Sequence, residues 1–303
     1  HAPRTRPRDP PRTLSASTLT GRTMAGLDPV RLERAAALCQ GYVDSGQMPC
    51  TSLLVARHGE IAMRRDYGLM DVAEGKPLAE DALFRIFSMT KPLTCIAGLV
   101  CYEMGCFQLD DPVSLYLPEF SEHDDPTAPL TIEHCFTHTN GLQDTTGNTP
   151  TNLAEKVAQL AASPLLFPPG SAWKYGPGHD VIGRLTEVFT GMPYADFLRE
   201  AVLAPTGMED TSFVVPEEKW GRLVAPCQHI DEAEGGLHYR QNPVEYTRSD
   251  GSVRALEPGD CMVGTYPEPS GGLMSTVTDY FRFCQMLLNG GVALDGTRVL
   301  GRR

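Results

Sequence analysis

The feature that most restricts the fold of this 303-residue chain is one convincing pair of β-strands near the start, followed by a long stretch in which helical periodicity dominates. The run "CTSLLVAR" (50–57) reads as a strand, "HG" supplies a turn, and "EIAMRRDYG" (60–68) can return beside it as a hairpin. A two-stranded hairpin is marginal in water, and its apolar face has to be covered. Helices are available for that. Asp28 can cap a helix with Pro29 at its first position, and Leu32, Ala35, Ala36, Cys39, Tyr42 and Val43 recur at helical spacing. Further helices are predicted over 94–104, within "TIEHCFTHTNGL", and over 181–189, 194–202 and 278–288. The stretch "LLFPPGSAWKYGPGHD" is too rich in Pro and Gly for regular structure. From 211 to 269 the periodicity is poor, and only "TSFVV" and "GRLVA" offer short strand candidates.

Composition narrows the function classes. The formal net charge of -12 argues against a nucleic-acid partner, because phosphate contacts need clustered Lys and Arg. No apolar run reaches the length of a membrane span. The nine cysteines lack CxxC spacing, which fits a reduced compartment and a cytoplasmic location better than a disulfide framework. His134 and His138 are four apart without an HExxH motif, so neither a metal nor another cofactor is expected. Residues 1–23 carry five arginines and one acid among Pro, Ser and Thr, with no apolar h-region. A secretory signal is therefore not expected, and organellar import, a processing remnant, an upstream segment or a disordered tail stay open.

"FRIFSMTKPLTCIAGLVCYEMG" (84–105) places Ser88 and Lys91 three apart where an apolar helix begins. In a first helical turn that spacing puts both on one face. A serine hydroxyl is a weak nucleophile until a base takes its proton, and a buried lysine can do so. The helix N-terminus adds positive potential that favours developing negative charge. The four residues alone also admit a helix cap beside a solvated lysine. "SAWK" repeats the spacing with Ser171 and Lys174, but in a loop with no apolar helix behind it. His138 and His179 raise a Ser-His-Asp alternative, which lacks a G-x-S-x-G elbow.

The wider pattern resembles the penicillin-recognising serine hydrolases, and within them the esterase branch related to class C β-lactamases. "FRIFSMTKP" is similar to that family's first motif, "FTHTNGL" (136–142) to its "LTHTSGL" segment, "PLLFPPGSAWKYGPGHDVIGRLTEVFTGMPYADFL" (164–198) to the stretch with its second motif, and "PSGGLMSTVTDYFRFCQMLLNGG" (269–291) to a glycine-rich segment and helix. The resemblance runs from about Asp28 to Gly291, with the motifs in family order. It implies an α/β (α+β) fold of the β-lactamase/transpeptidase type, an antiparallel sheet flanked by helices with a mostly helical domain. The division it suggests is 1–27 outside the fold, 28–82 and 269–303 in the α/β domain, and 83–268 in the helical domain. It implies Ser88 as acylated nucleophile, Lys91 as general base and Tyr175 as proton relay, acting on a small ester by hydrolysis, with transesterification as a further expected reaction. Trp173 either lines the acyl pocket or packs. Pro177 stands where class C enzymes have Asn; without a side-chain amide it argues against efficient β-lactam hydrolysis and for the esterase branch. Asp180 is expected to cap the helix starting at Val181.

The resemblance also implies a third motif, Lys/His-Thr-Gly or Trp-x-Gly, on a strand following the last predicted helix, with further strands beyond. The sequence stops at "LDGTRVLGRR" before any of these. Three expectations follow: a continuation past Arg303 or a second chain completes the sheet, or the form is degenerate. A β-lactamase or D-alanyl-D-alanine carboxypeptidase and a catalytically silent assembly protein on the same scaffold are the competing functions.

Overall fold

The computed structural model describes residues 24–301, apart from 124, 145–149, 235–236, 242–244, 248–252 and 256–265. Helix α1 (Pro29–Asp44) starts at the expected cap, with Asp28 Oδ1 accepting the Val30 N–H at 2.9 Å. Strands β1 (Cys50–Arg57) and β2 (Glu60–Asp71) pair antiparallel, with Arg57 opposite Glu60. His58 and Gly59 therefore form a two-residue loop. Both have positive φ, 54° and 79°, the backbone that matches the twist of a tight hairpin. β3 (Lys76–Pro77) adds to the far side of β2. Gly68 has φ 86°, and a Cβ there would stand 2.2 Å from the Pro49 carbonyl oxygen, so only glycine fits the entry to β1.

β4 (Phe84–Arg85) and a 3₁₀ turn (Phe87–Met89) lead into α2 (Thr90–Glu103). Pro92 falls in the first turn of α2, where its missing N–H is no loss. Leu93, Ile96, Ala97 and Cys101 are buried in the main core, at about 1.5–3 kcal/mol for each large apolar side chain. Around α2 stand α3 (Ile132–Thr137), α4 (Leu153–Ala161), α5 (Gly178–Thr190), α6 (Tyr194–Leu198), a π turn (Arg199–Leu203) and α7 (Ala204–Thr206). α2 and α5 approach closely at Gly98, where a Cβ would meet Ile182 at 2.7 Å and Phe136 at 2.8 Å.

The stretch read as turn chemistry holds strands. β5 (Cys227–Glu234) pairs with β6 (Leu237–Gln241), and β7 (Glu245–Thr247) with β8 (Val253–Ala255). Their sequences lack apolar alternation, and each pair is a separate two-stranded ladder rather than part of the first sheet. "TSFVV" and "GRLVA" supply only isolated bridges, Ser212 to Met274 and Leu223 to Leu83. β9 (Met274–Ser275) pairs with β4, and α8 (Val277–Leu288) follows, with Thr276 Oγ1 accepting the Asp279 N–H at 3.1 Å.

The arrangement is an α/β fold with a central antiparallel sheet flanked by helices. In the order β1-β2-β3, β1 occupies an edge. A groove of about 1510 Å³ runs between that edge, residues 84–87 and α8. No helix among the described residues is long and apolar enough to cross a membrane.

Candidate active site

The β4–β9 pairing delivers Ser88 to its position. Phe84 faces Ser275, Arg85 faces Met274, and the Ile86 N–H donates to the Leu273 carbonyl at 3.0 Å. Phe87 then turns the chain with φ 45°, left-handed backbone that is uncommon for a bulky side chain and costs about 1–3 kcal/mol. Its ring is 52% exposed, so the conformation serves the path of the backbone rather than burial of the ring. Ser88 follows in the 3₁₀ turn and Lys91 in the first turn of α2.

The three residues implied as catalytic come together. Lys91, 8% exposed, donates from Nζ to Ser88 Oγ at 3.2 Å and to the Ser270 carbonyl at 2.6 Å. The Tyr175 hydroxyl donates to the same Ser88 Oγ at 2.5 Å, and Lys91 Nζ stands 4.6 Å from the centre of its ring. Burial pulls the phenol up, but its contacts with Lys91 and Ser88 and the Lys91 charge outweigh this and hold it below the ordinary tyrosine range. The second Ser-x-x-Lys occurrence does not assemble: Ser171 Oγ donates to the Pro168 carbonyl, and Lys174 is exposed.

Residues 268–273 form a wall beside Lys91, and side chains of two buried helices hold its backbone. Thr94 Oγ1 donates to the Pro269 carbonyl at 2.7 Å and shares a 2.6 Å hydrogen bond with the buried Tyr194 hydroxyl. Thr90 Oγ1 accepts the Leu273 N–H at 3.2 Å. Asp180 Oδ1 accepts the Ser270 N–H at 3.1 Å. This corrects the reading of Asp180 as a helix cap. α5 begins at Gly178 with Pro177 at its N-cap and no side-chain cap bond, and the buried Asp180 carboxylate points to the wall instead. Desolvation pushes Asp180 up to about 6, against the bonds from Ser270 and the charges of Lys156 and Lys91. Neighbouring Glu268 rises to about 7, through burial and then the Asp180 charge. Lys156 is neutralised by both Asp144 oxygens, at 2.6 and 2.7 Å.

Trp173 is 66% exposed and meets His138 edge-on at 6.0 Å between ring centres, while Pro177 is buried. Three participants had not been singled out by the sequence: the Ser270 carbonyl, Thr94 with Tyr194, and the contact of His138 with Tyr175. The bonds to Lys91 and Thr94 cross 179 and 100 residues, so no local pattern announces them. The large groove beside β1 borders Phe87 and Met89 but is not lined by Ser88, Lys91 or Tyr175.

A serine at the head of a buried helix, bonded at once by an ammonium and a phenol and set beside an antiparallel sheet, defines a serine hydrolase of the β-lactamase-like type. The chain belongs to the Beta-lactamase family, whose model matches residues 35–302. It is 33% identical over 290 residues to Esterase EstB of Burkholderia gladioli, covering 86% of this chain and 73% of that protein. The structure of EstCE1, a hydrolase with promiscuous acyltransferase activity, superimposes with a TM-score of 0.71 at 25% identity, over 84% of this chain and 72% of that one. A class C β-lactamase from Rhodobacter sphaeroides shares the fold, with a TM-score of 0.63 at 22% identity over 86% of this chain and 66% of its own.

Proposed function

We propose that this protein cleaves small carboxylic esters through an acyl-enzyme on Ser88. The observation that carries the reading is the convergence of Lys91 Nζ and Tyr175 OH on one hydroxyl oxygen. In its neutral amine form Lys91 takes the Ser88 proton as Oγ attacks the carbonyl carbon, becoming the ammonium, and the carbonyl electron pair moves onto oxygen. The Ser88 backbone N–H, in the turn that leads into α2, is the donor assigned to that developing charge. Collapse breaks the bond to the alcohol, which leaves with a proton passed through Tyr175 from Lys91. Water then attacks the acyl carbon as the same pair takes its proton; the bond to Ser88 Oγ breaks, the acid leaves, and the pair returns the proton to Oγ. An alcohol in place of water gives transesterification, in line with the acyltransferase activity named for EstCE1.

The β-lactamase reading shares Ser88 and Lys91 and is weakened at Pro177, which offers no amide to a β-lactam side chain. Steady-state rates with p-nitrophenyl acetate and nitrocefin separate the two. The ester should be the better substrate, and Ser88→Ala should abolish its turnover. Faster nitrocefin turnover reverses the assignment. Ester turnover that survives Ser88→Ala removes Ser88 from the chemistry altogether and leaves the silent scaffold as the better reading of this site.

A further inference from the structure

We infer that His138 is a positioning residue for Tyr175, and that the strained backbone at His138 exists to present its ring there; the inference rests on the catalytic reading of Ser88, Lys91 and Tyr175. His138 ends α3 as its C-cap with φ 58° and ψ 32°, a left-handed position where glycine or asparagine is the usual occupant. A histidine there gives up conformational ease, and the strain has to be offset by something the side chain does.

His138 grips the tyrosine segment at three successive residues, once through its backbone and twice through its ring. The His138 carbonyl accepts the Lys174 N–H at 2.9 Å. Its imidazole stacks on the Tyr175 ring with centres 4.6 Å apart and planes 29° from parallel. Its Nδ1 accepts the Gly176 N–H at 3.2 Å. The segment has no regular structure of its own and Tyr175 is 49% exposed, so His138 adds to the Ser88 bond and the Lys91 contact in holding the phenol over Ser88. The acceptor role of Nδ1 requires a neutral ring with its proton on Nε2. Burial and then the Lys91 charge hold His138 below the ordinary histidine range, which keeps that form populated. The titratable groups that face it are Lys91, Tyr175 and His179; His179 lies 4.8 Å away between ring centres and is itself held neutral, down to about 3, by burial and by His138 and Lys91.

This predicts that stability and catalysis respond in opposite directions. His138→Gly relieves the left-handed strain but removes the stack and the acceptor. It should melt at or above the wild-type temperature, while kcat for p-nitrophenyl acetate falls on the order of 10–100-fold with KM within about twofold, the scale of a misplaced catalytic group. Imidazole in the buffer should restore part of the loss. His138→Asn, which tolerates the left-handed backbone and offers an acceptor but no ring, should lose kcat similarly while staying folded. An activity-independent readout accompanies these: the lowest-titrating tyrosinate absorbance, identified by its absence from Tyr175→Phe, should move up in His138→Gly as the phenol leaves Lys91 and Ser88. Wild-type kcat in the two variants overturns the inference, and so does a kcat loss that merely follows a lower melting temperature without imidazole rescue. If wild-type protein forms no acetyl adduct on Ser88, the catalytic reading fails by itself, and an unmoved tyrosinate titration then overturns the positioning role separately.

Discussion

Gly183 is where a single methyl group should reach the active site through packing alone. It lies inside α5, where alanine is worth about 1 kcal/mol more than glycine by helix propensity. A Cβ at Gly183, however, would stand 2.3 Å from Cγ and 2.9 Å from Cβ of Pro269. Ordinary contact starts near 3.4 Å, so the ring must withdraw by about 1 Å, and a proline ring takes its backbone with it. That backbone carries the Pro269 carbonyl bonded to Thr94 at 2.7 Å and, one residue on, the Ser270 carbonyl bonded to Lys91 at 2.6 Å. Overpacking at a rigid neighbour costs about 2–3 kcal/mol, so Gly183→Ala should be destabilised by a net ~1–2 kcal/mol. A displacement near 1 Å at the carbonyl holding Lys91 should lower kcat by about tenfold or more. Urea melts and ester kinetics well below the transition measure both. Gly41→Ala in α1 is the control, because a Cβ there meets nothing within 4 Å; it should gain about 0.5–1 kcal/mol and leave kcat alone. The reasoning is refuted if Gly183→Ala is as stable as wild type, or more so, and keeps its kcat.

Other perturbations test the frame around the site. Tyr194→Phe removes the buried hydroxyl bonded to Thr94, which keeps its bond to Pro269; thermal or urea melts should show a loss of about 1 kcal/mol with kcat reduced less than in Gly183→Ala. Asp180 is pushed up to about 6 from 3.8, so the folded protein holds the extra proton and stability falls as pH rises between those values. Asp180→Asn stays neutral, so its stability relative to wild type should improve from pH 4 to 6 and level off above, as read by melts across that range. Asp210 has the opposite sign: bonds from Arg222, and then Lys219, hold it down to about 2. Asp210→Asn should therefore be destabilised at neutral pH, with the deficit shrinking as pH falls through about 4 towards 2.

Sequence patterns made the local parts of this architecture legible. The Asp28–Pro29 start of α1 and the β1–β2 hairpin depend on contacts within a few residues, and the structure has them where the spacing places them. The Ser88–Lys91 spacing belongs to the same class, because one helical turn fixes it. Tyr175 was reached only through resemblance, since its bond to Ser88 spans 87 residues. Asp180 shows how a local rule fails: an Asp at a helix start is ordinarily a cap, but this one is fully enclosed and its nearest donor is an amide 90 residues on. β5 to β8 were missed because pairing in short ladders is satisfied by backbone groups and leaves no apolar alternation to read. The left-handed φ of Phe87 and His138 left no trace either, since neither position carries the glycine or asparagine that ordinarily marks such backbone.

The central claim, a covalent intermediate on Ser88, is tested most directly by trapping it. Protein mixed with p-nitrophenyl acetate, quenched in acid during the first turnovers and digested, should show one acetyl group on the peptide that contains Ser88, with fragmentation placing it on that residue. Tyr175→Phe should form the same adduct more slowly, and Ser88→Ala should form none. Rapid ester turnover with no adduct at any quench time, or an acetyl group found on another residue at a rate matching turnover, contradicts the account.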